Sequence, residues 1–426
     1  MHIADSMLHS KTSSACALAW WLVACGSPAA PPQPLAGAGS SAAGSAGSAG
    51  AALSGAAGSL GGAAHGGGGA GEQAGGGTAA GSGGSAGTTP AVVCAPPEDV
   101  FSPIARLSQT GCVDPAQPTK PSASASSYEV NSPLWSDSAD KTRAFLLPVG
   151  AKIHVRDCTA HPSDCPNGKA DEGRWDFPVG SVLIKAFAFD GKLVETRLFM
   201  HLDESNWVGY SYQWDEAQTE ATLVSADGAD TVFDTGKQQV AWHYPSQKDC
   251  LNCHNAAGGS TLGLETAQLN RPLAGSNQID ALALRGLFET APAKPYKAAL
   301  VPPYPSQAGT PPAAATTEQK ARSYLHANCG FCHRPGGNYP NFDFRFDTAF
   351  KDMNLCNAEV KKGAISSAPG KTKILVPGQA SSSVMWLRMN EPDPAKGRMP
   401  QVASYAVDHD AVTLVSNWIQ SIGACP

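Results

Sequence analysis

Hydrophobic and polar positions change rhythm several times along the chain, and each change marks a different kind of segment. Lys11 precedes an apolar run, Ala15 to Ala24, which is too short to cross a hydrocarbon core of about 30 Å as a helix and so predicts the core of a signal peptide. From Ser27 to about Thr89 the chain is Gly, Ala, Ser and Pro with almost nothing apolar beyond alanine. Such a segment cannot bury enough surface to offset its ordering entropy, and it reads as a flexible tether. From Cys94 to about Val240, short runs of Val, Ile, Phe, Tyr and Trp alternate with turn residues, as in Ala144–Leu147, Ser181–Phe189, Glu195–His201 and Trp207–Gln213. Pro148, Gly150, Gly180 and Asp190-Gly191 punctuate them, and the pattern predicts a β-sandwich-like domain over 94–240.

After Trp242-His243-Tyr244-Pro245 the period lengthens to that of helices. A proline-rich bridge, Pro292 to Pro312, divides this part into segments 241–312 and 313–426. Thr316 or Thr317 is placed to cap a helix through Glu318, Gln319, Ala321, Tyr324 and Leu325. Asp408 to Ile422 forms a last amphipathic helix with Val412, Val415, Trp418, Ile419 and Ile422 on one side. The fold class is therefore α+β and multidomain, a β-sandwich-like domain followed by helical segments.

Formal net charge is -6 without long runs of one sign, so there is no basic footprint for nucleic acid. The twelve cysteines divide by position. Cys16 and Cys25 lie in the export segment, where Leu22-Val23-Ala24-Cys25-Gly26 resembles the lipobox of bacterial lipoproteins. That resemblance implies a signal peptide over 1–24, a diacylglyceryl anchor on Cys25, and a tether over 25–90 with a reach on the order of 45 Å. The chain is thus expected in the cell envelope, held to a membrane by lipid and facing the periplasm or cell surface. Six other cysteines, an even number in an exported chain, permit three disulfides, and sequence order suggests Cys94 with Cys112, Cys158 with Cys165, and Cys356 with Cys425. The Cys158–Cys165 stretch lies among acidic residues that could hold calcium, but it has no EF-hand order and reads as a disulfide-closed turn.

The remaining four cysteines form Cys250-Leu251-Asn252-Cys253-His254 and Cys329-Gly330-Phe331-Cys332-His333. Two thiols three positions apart can add to the two vinyl groups on one haem edge, and the following imidazole reaches the iron. Zinc is the rival, but no second Cys pair stands at zinc-finger spacing. A thioredoxin-like dithiol would need a strand-to-helix context that neither pentapeptide has. Two covalently bound haem c groups are therefore expected, with His254 and His333 as iron ligands.

Around the second motif, Tyr324-Leu325-His326-Ala327-Asn328 leads in, and Leu375-Val376-Pro377-Gly378, Gly397-Arg398-Met399-Pro400 and the helix bearing Trp418 follow. This series resembles class I cytochrome c domains, over roughly Thr316 to Cys425. The resemblance implies a helical haem domain whose first and last helices cross, with Met399 as the distal ligand to the iron on His333. Met385 and Met389 fit a buried helix face at i, i+4, and Met353 sits in a polar stretch. A thioether ligand favours ferrous iron, so the second haem would be the more oxidising.

The first motif, with Trp242–Ser246 before it, Leu262–Arg271 after it and Trp175–Ser181 upstream, is similar to a group of bacterial haem proteins with a β-rich region, a likeness that carries no assigned activity. Its sixth ligand could be His243, His201 or Met200, or the iron could be open. Trp175, Trp207 and Trp214 read as core and rim packing. The leading expectation is electron transfer with a redox partner protein, such as a periplasmic dehydrogenase or a terminal acceptor. One alternative is a haem peroxidase or oxidase-like enzyme working at an open first haem, and another is a β-domain binding module that carries haem relays.

Overall fold

Strands form where β-branched and aromatic residues alternate, and six of them build one antiparallel sheet. In the computed structural model, which describes residues 93–166, 171–305, 312–361, 368–401 and 404–426, these are β1 (Ser126–Ser127), β2 (Asp140–Leu146), β3 (Val182–Phe189), β4 (Lys192–Asp203), β5 (Asn206–Trp214) and β6 (Ala221–Leu223). Each pairs with its chain neighbour, so the spatial order is the sequence order, a six-stranded meander. Asp190-Gly191 turns β3 into β4 with both residues at positive φ, 51° and 82°. That is the type I′ geometry whose twist matches the strands it joins, and Gly191 takes it without strain. A hairpin of β7 (Ala229–Asp234) and β8 (Gln239–Tyr244) stands apart from this sheet in pairing.

In place of two large facing sheets, one six-stranded sheet is covered on both faces by other elements, and the β7–β8 hairpin packs Trp242 and Tyr244 against its Phe187, Phe189 and Val194. On one face, Leu146, Val182, Ile184, Leu198, Met200, Tyr210 and Trp214 pack under Leu107, Cys112 and Val113 of the preceding segment. On the other, Phe145, Leu183 and Phe199 meet Trp175 and Phe177 and the later Leu264, Leu269, Ile279 and Phe288. Alternation announces a half-buried strand but is silent on whether a sheet or helices cover it.

The later part is helical: α1 (Gln247–Cys253), α2 (Thr266–Leu269), α3 (Gln278–Leu284), α4 (Thr317–Asn328), α5 (Val384–Met389) and α6 (His409–Ser421). Thr316 caps α4 reciprocally with Gln319, and Asp408 caps α6. Helices α4 and α6 pack on each other through Ala321, Tyr324, Leu325, Ala411, Val415, Trp418 and Ile419. Met353, which the sequence places in a polar stretch, is fully buried in this core beside Met385 and Met389.

The three disulfides pair in sequence order: Cys94–Cys112, Cys158–Cys165 and Cys356–Cys425. All described residues belong to one unit, Ser85–Pro426. Among them, no helix is long and apolar enough to cross a membrane. The expected signal peptide, Cys25 and the tether lie outside the described residues.

Candidate functional site

The first motif rides on α1, whose N-terminus Ser246 and Asp249 close as a capping box. The helix sits so near β5 that a Cβ on Gly209 would come 2.6 Å from Cys250 Sγ, so a larger residue there would displace that thiol. His254 follows as the C-cap residue, its ring 4.1 Å from that of Phe199. Its Nδ1 donates to the Ser260 carbonyl at 2.5 Å, which leaves Nε2 as the nitrogen with a free lone pair. Burial pushes this imidazole down to about 4, so it stays neutral and fit to bind a metal at neutral pH.

These groups open on a cavity between the sheet and the segments that carry the two Cys-x-x-Cys-His motifs. Its wall includes Leu183, Lys185, Arg197, Phe199, Cys250, Cys253 and His254, and also His326 and Phe331 from beside the second motif. Burial holds Lys185 well below its ordinary value and pushes Arg143, on the same wall, down as well.

None of the three residues weighed as a sixth ligand lines this cavity. Met200 is buried in the core on the opposite face of the sheet, because neighbouring positions on a strand face opposite ways. His201 stacks flat on Trp207, its Nδ1 buried without a hydrogen-bond partner. His243 is held by Asp230 at 2.6 Å and lies 3.7 Å from Asp249. The imidazole that does reach the cavity is His326, which the sequence offered only as part of the lead-in to the second motif. Its Nδ1 accepts from the Phe346 N–H at 3.0 Å, so its Nε2 donates to Glu265 at 2.7 Å and neither nitrogen is left over.

In the second motif Cys329 ends α4, and His333 lies among Tyr339, Phe342 and Phe344, with ring centres 5.3–5.9 Å away. Its Nδ1 is buried with no well-formed hydrogen bond, and burial pushes the ring down to about 4. A second, smaller cavity brings Cys329, Cys332 and His333 together with Met399. The loop carrying Met399 is fixed by its own N–H, bonded to the Arg388 carbonyl at 3.0 Å. Arg398, 2 % exposed, braces it by donating to the Tyr405 carbonyl at 2.7 Å.

Although the proline-rich bridge separates the two motifs in sequence, they adjoin in space. The Asn252 carbonyl lies 3.6 Å from Cys332 Sγ and accepts from Asn338 at 3.0 Å. Asn255 donates to the Phe331 carbonyl at 3.3 Å. Arg334 and Arg174 both donate to the Ala257 carbonyl at 3.1 Å, clamping the loop after the first motif. Phe331 belongs to the wall of the first cavity, and Cys253 to that of the second.

The four motif cysteines are the free ones among the described residues. Burial pushes Cys250 up to about 11, Cys253 and Cys329 up to about 12, and Cys332 upward as well. Neutral thiols of this kind are poor redox nucleophiles. Zinc would need its ligands gathered, and no group of three or more His, Cys, Asp or Glu converges among the described residues. A porphyrin asks for something different: a pair of thiols at one edge, one neutral imidazole and an apolar slot. Both motifs meet that description. Compared with family models, with curated proteins and with solved structures, the chain finds no match.

Proposed function

We propose that this chain is an exported, lipid-anchored c-type cytochrome with two covalent haems, and that it carries electrons between a periplasmic donor and an acceptor. The observation that carries this reading is the pair of CxxCH motifs, each with free, buried, neutral thiols and a neutral imidazole facing a cavity, the two cavities sharing wall residues. Haem bound there would supply a one-electron carrier, Fe(III)/Fe(II). Cys250 and Cys253 would hold one group by thioethers with His254 on its iron. Cys329, Cys332 and His333 would hold the other, and Met399, which shares their cavity, would supply a further ligand to its iron.

The protein's own work would be positioning and exclusion of water. The Ser260 carbonyl orients the His254 ring, the Arg388 carbonyl and Arg398 fix the Met399 loop, and the aromatic rings about His333 keep its surroundings apolar. Preset ligands that need not rearrange when charge changes suit a carrier. The contact of Asn252 with Cys332 and Asn338 supports electron passage between the two groups within one chain. Cys25 would tether the carrier to a membrane.

A second reading has its own observation. The first cavity is walled without a methionine, and its extra imidazole, His326, has both nitrogens engaged. An iron left without a second protein ligand would take small ligands, the requirement of a peroxidase or oxidase. The oxidised absorption spectrum separates the two readings. Two low-spin haems unmoved by cyanide or peroxide support a pure carrier, whereas a high-spin component that shifts on adding either supports the enzyme.

A further inference from the structure

Across β2, β3 and β4 the register sets Arg143 opposite Lys185, and Lys185 opposite Arg197. Like charges directly opposed on an antiparallel sheet destabilise it. All three line the first cavity. Arg197 is answered within the chain: Glu195, fully buried, takes two of its donors at 2.7 and 2.8 Å and is itself held by the Trp242 indole at 3.0 Å. The other two are not answered. Lys185 makes no hydrogen bond or ion pair among the described residues, its ammonium lying 5.0 Å over the Phe187 ring. Arg143 reaches only the Lys141 carbonyl, at 3.5 Å.

Nor do the carboxylates on the same wall serve them. Asp249 is occupied by the cap of α1, and Glu265 by His326. Uncompensated cations held in a protein interior are costly unless an anion meets them. Beside them the wall is apolar, with Leu183, Phe199 and Phe331.

We infer that Arg143 and Lys185 bind the two propionate carboxylates of the porphyrin seated on Cys250, Cys253 and His254. Two unanswered positive charges meet a ligand with two negative charges and an apolar body, in the cavity that holds the matching thiols. This inference rests on the di-haem reading and deepens it. It makes the sheet one half of the first haem site, so that the β-rich region is part of the redox centre.

The test is spectroelectrochemistry of the purified holoprotein, comparing wild type with Lys185→Met, Arg143→Met and the charge-keeping Lys185→Arg. With the cation removed, the propionate charge is unbalanced and Fe(III) is favoured. One of the two midpoints should therefore move to more negative potential in each Met variant while the other stays, and Lys185→Arg should restore the wild-type value. Two unchanged midpoints in chains that carry both haems would overturn the assignment, as would Lys185→Arg behaving like Lys185→Met. If Lys185→Met lacks the first haem, the haem count of Lys185→Arg decides: two per chain supports the carboxylate clamp, and one refutes it. A wild type without covalent haem would remove the di-haem reading itself, a different failure from an unshifted potential in a di-haem protein.

Discussion

Met399 and His254 show how a side chain acquires a role from its fixed neighbours. Spacing made the candidate thiols and imidazoles legible, because two cysteines three apart with histidine next are rarely accidental. What spacing omits is any second ligand that a haem iron on each motif would need. Met399 shares a cavity with His333, whereas Met200, His201 and His243 are each held elsewhere. Alternation along β4 does not reveal which face meets a ligand, and a shift of one position exchanges the faces. If Met399 is the soft second ligand proposed for the iron on His333, Met399→Ala should lower one of the two midpoint potentials. The expected drop is on the order of 0.1 V, a modest part of the roughly 0.8 V over which axial ligands set haem potentials. A redox titration of the variant checks this, and an unchanged upper midpoint would speak against thioether ligation.

Among elements, those fixed by local chemistry were readable and those fixed by packing were not. The Asp190-Gly191 turn, the Thr316 cap and the apolar face of α6 follow from residues a few positions apart. The second layer over the sheet comes from residues more than sixty positions downstream of β4, such as Ile279 and Phe288, and no local pattern announces it. The Cys356–Cys425 bridge ties the segment after α6 back to the chain between the second motif and α5, a separation of 69 residues. Replacing both cysteines with serine should cost about 2–4 kcal/mol of stability by releasing that closed loop. Haem content should be unaltered, since neither cysteine belongs to a motif. Guanidinium unfolding followed by tryptophan fluorescence, with haem counted in parallel, measures both.

At the scale of the whole molecule, the principal finding is that two motifs far apart in sequence share walls. Their contacts run through Asn252, Asn255, Asn338 and backbone carbonyls, residue types too common to signal a meeting. Glu265 and His326 add a further tie between the segment after the first motif and α4. Burial pushes the Glu265 carboxyl up, but His326, Lys297 and Arg334 outweigh it and draw it down from its ordinary 4.5 to about 2. A carboxyl whose folded value is depressed gives stability that is whole above its unfolded value and lost as pH falls toward the folded one. The tie should therefore weaken between about pH 4.5 and 2, and Glu265→Gln should flatten that stretch of a stability-against-pH curve. A variant profile with the wild-type slope there would contradict the coupling.

The central claim is covalent haem on both motifs. Intact-mass spectrometry of the protein, produced in a host that matures c-type cytochromes, tests it most directly. The expected mass exceeds that of the processed, lipidated polypeptide with its three disulfides by two haems, whose peptides map to Cys250–His254 and Cys329–His333. A mass equal to the bare chain, with all four motif thiols open to alkylation, would contradict it.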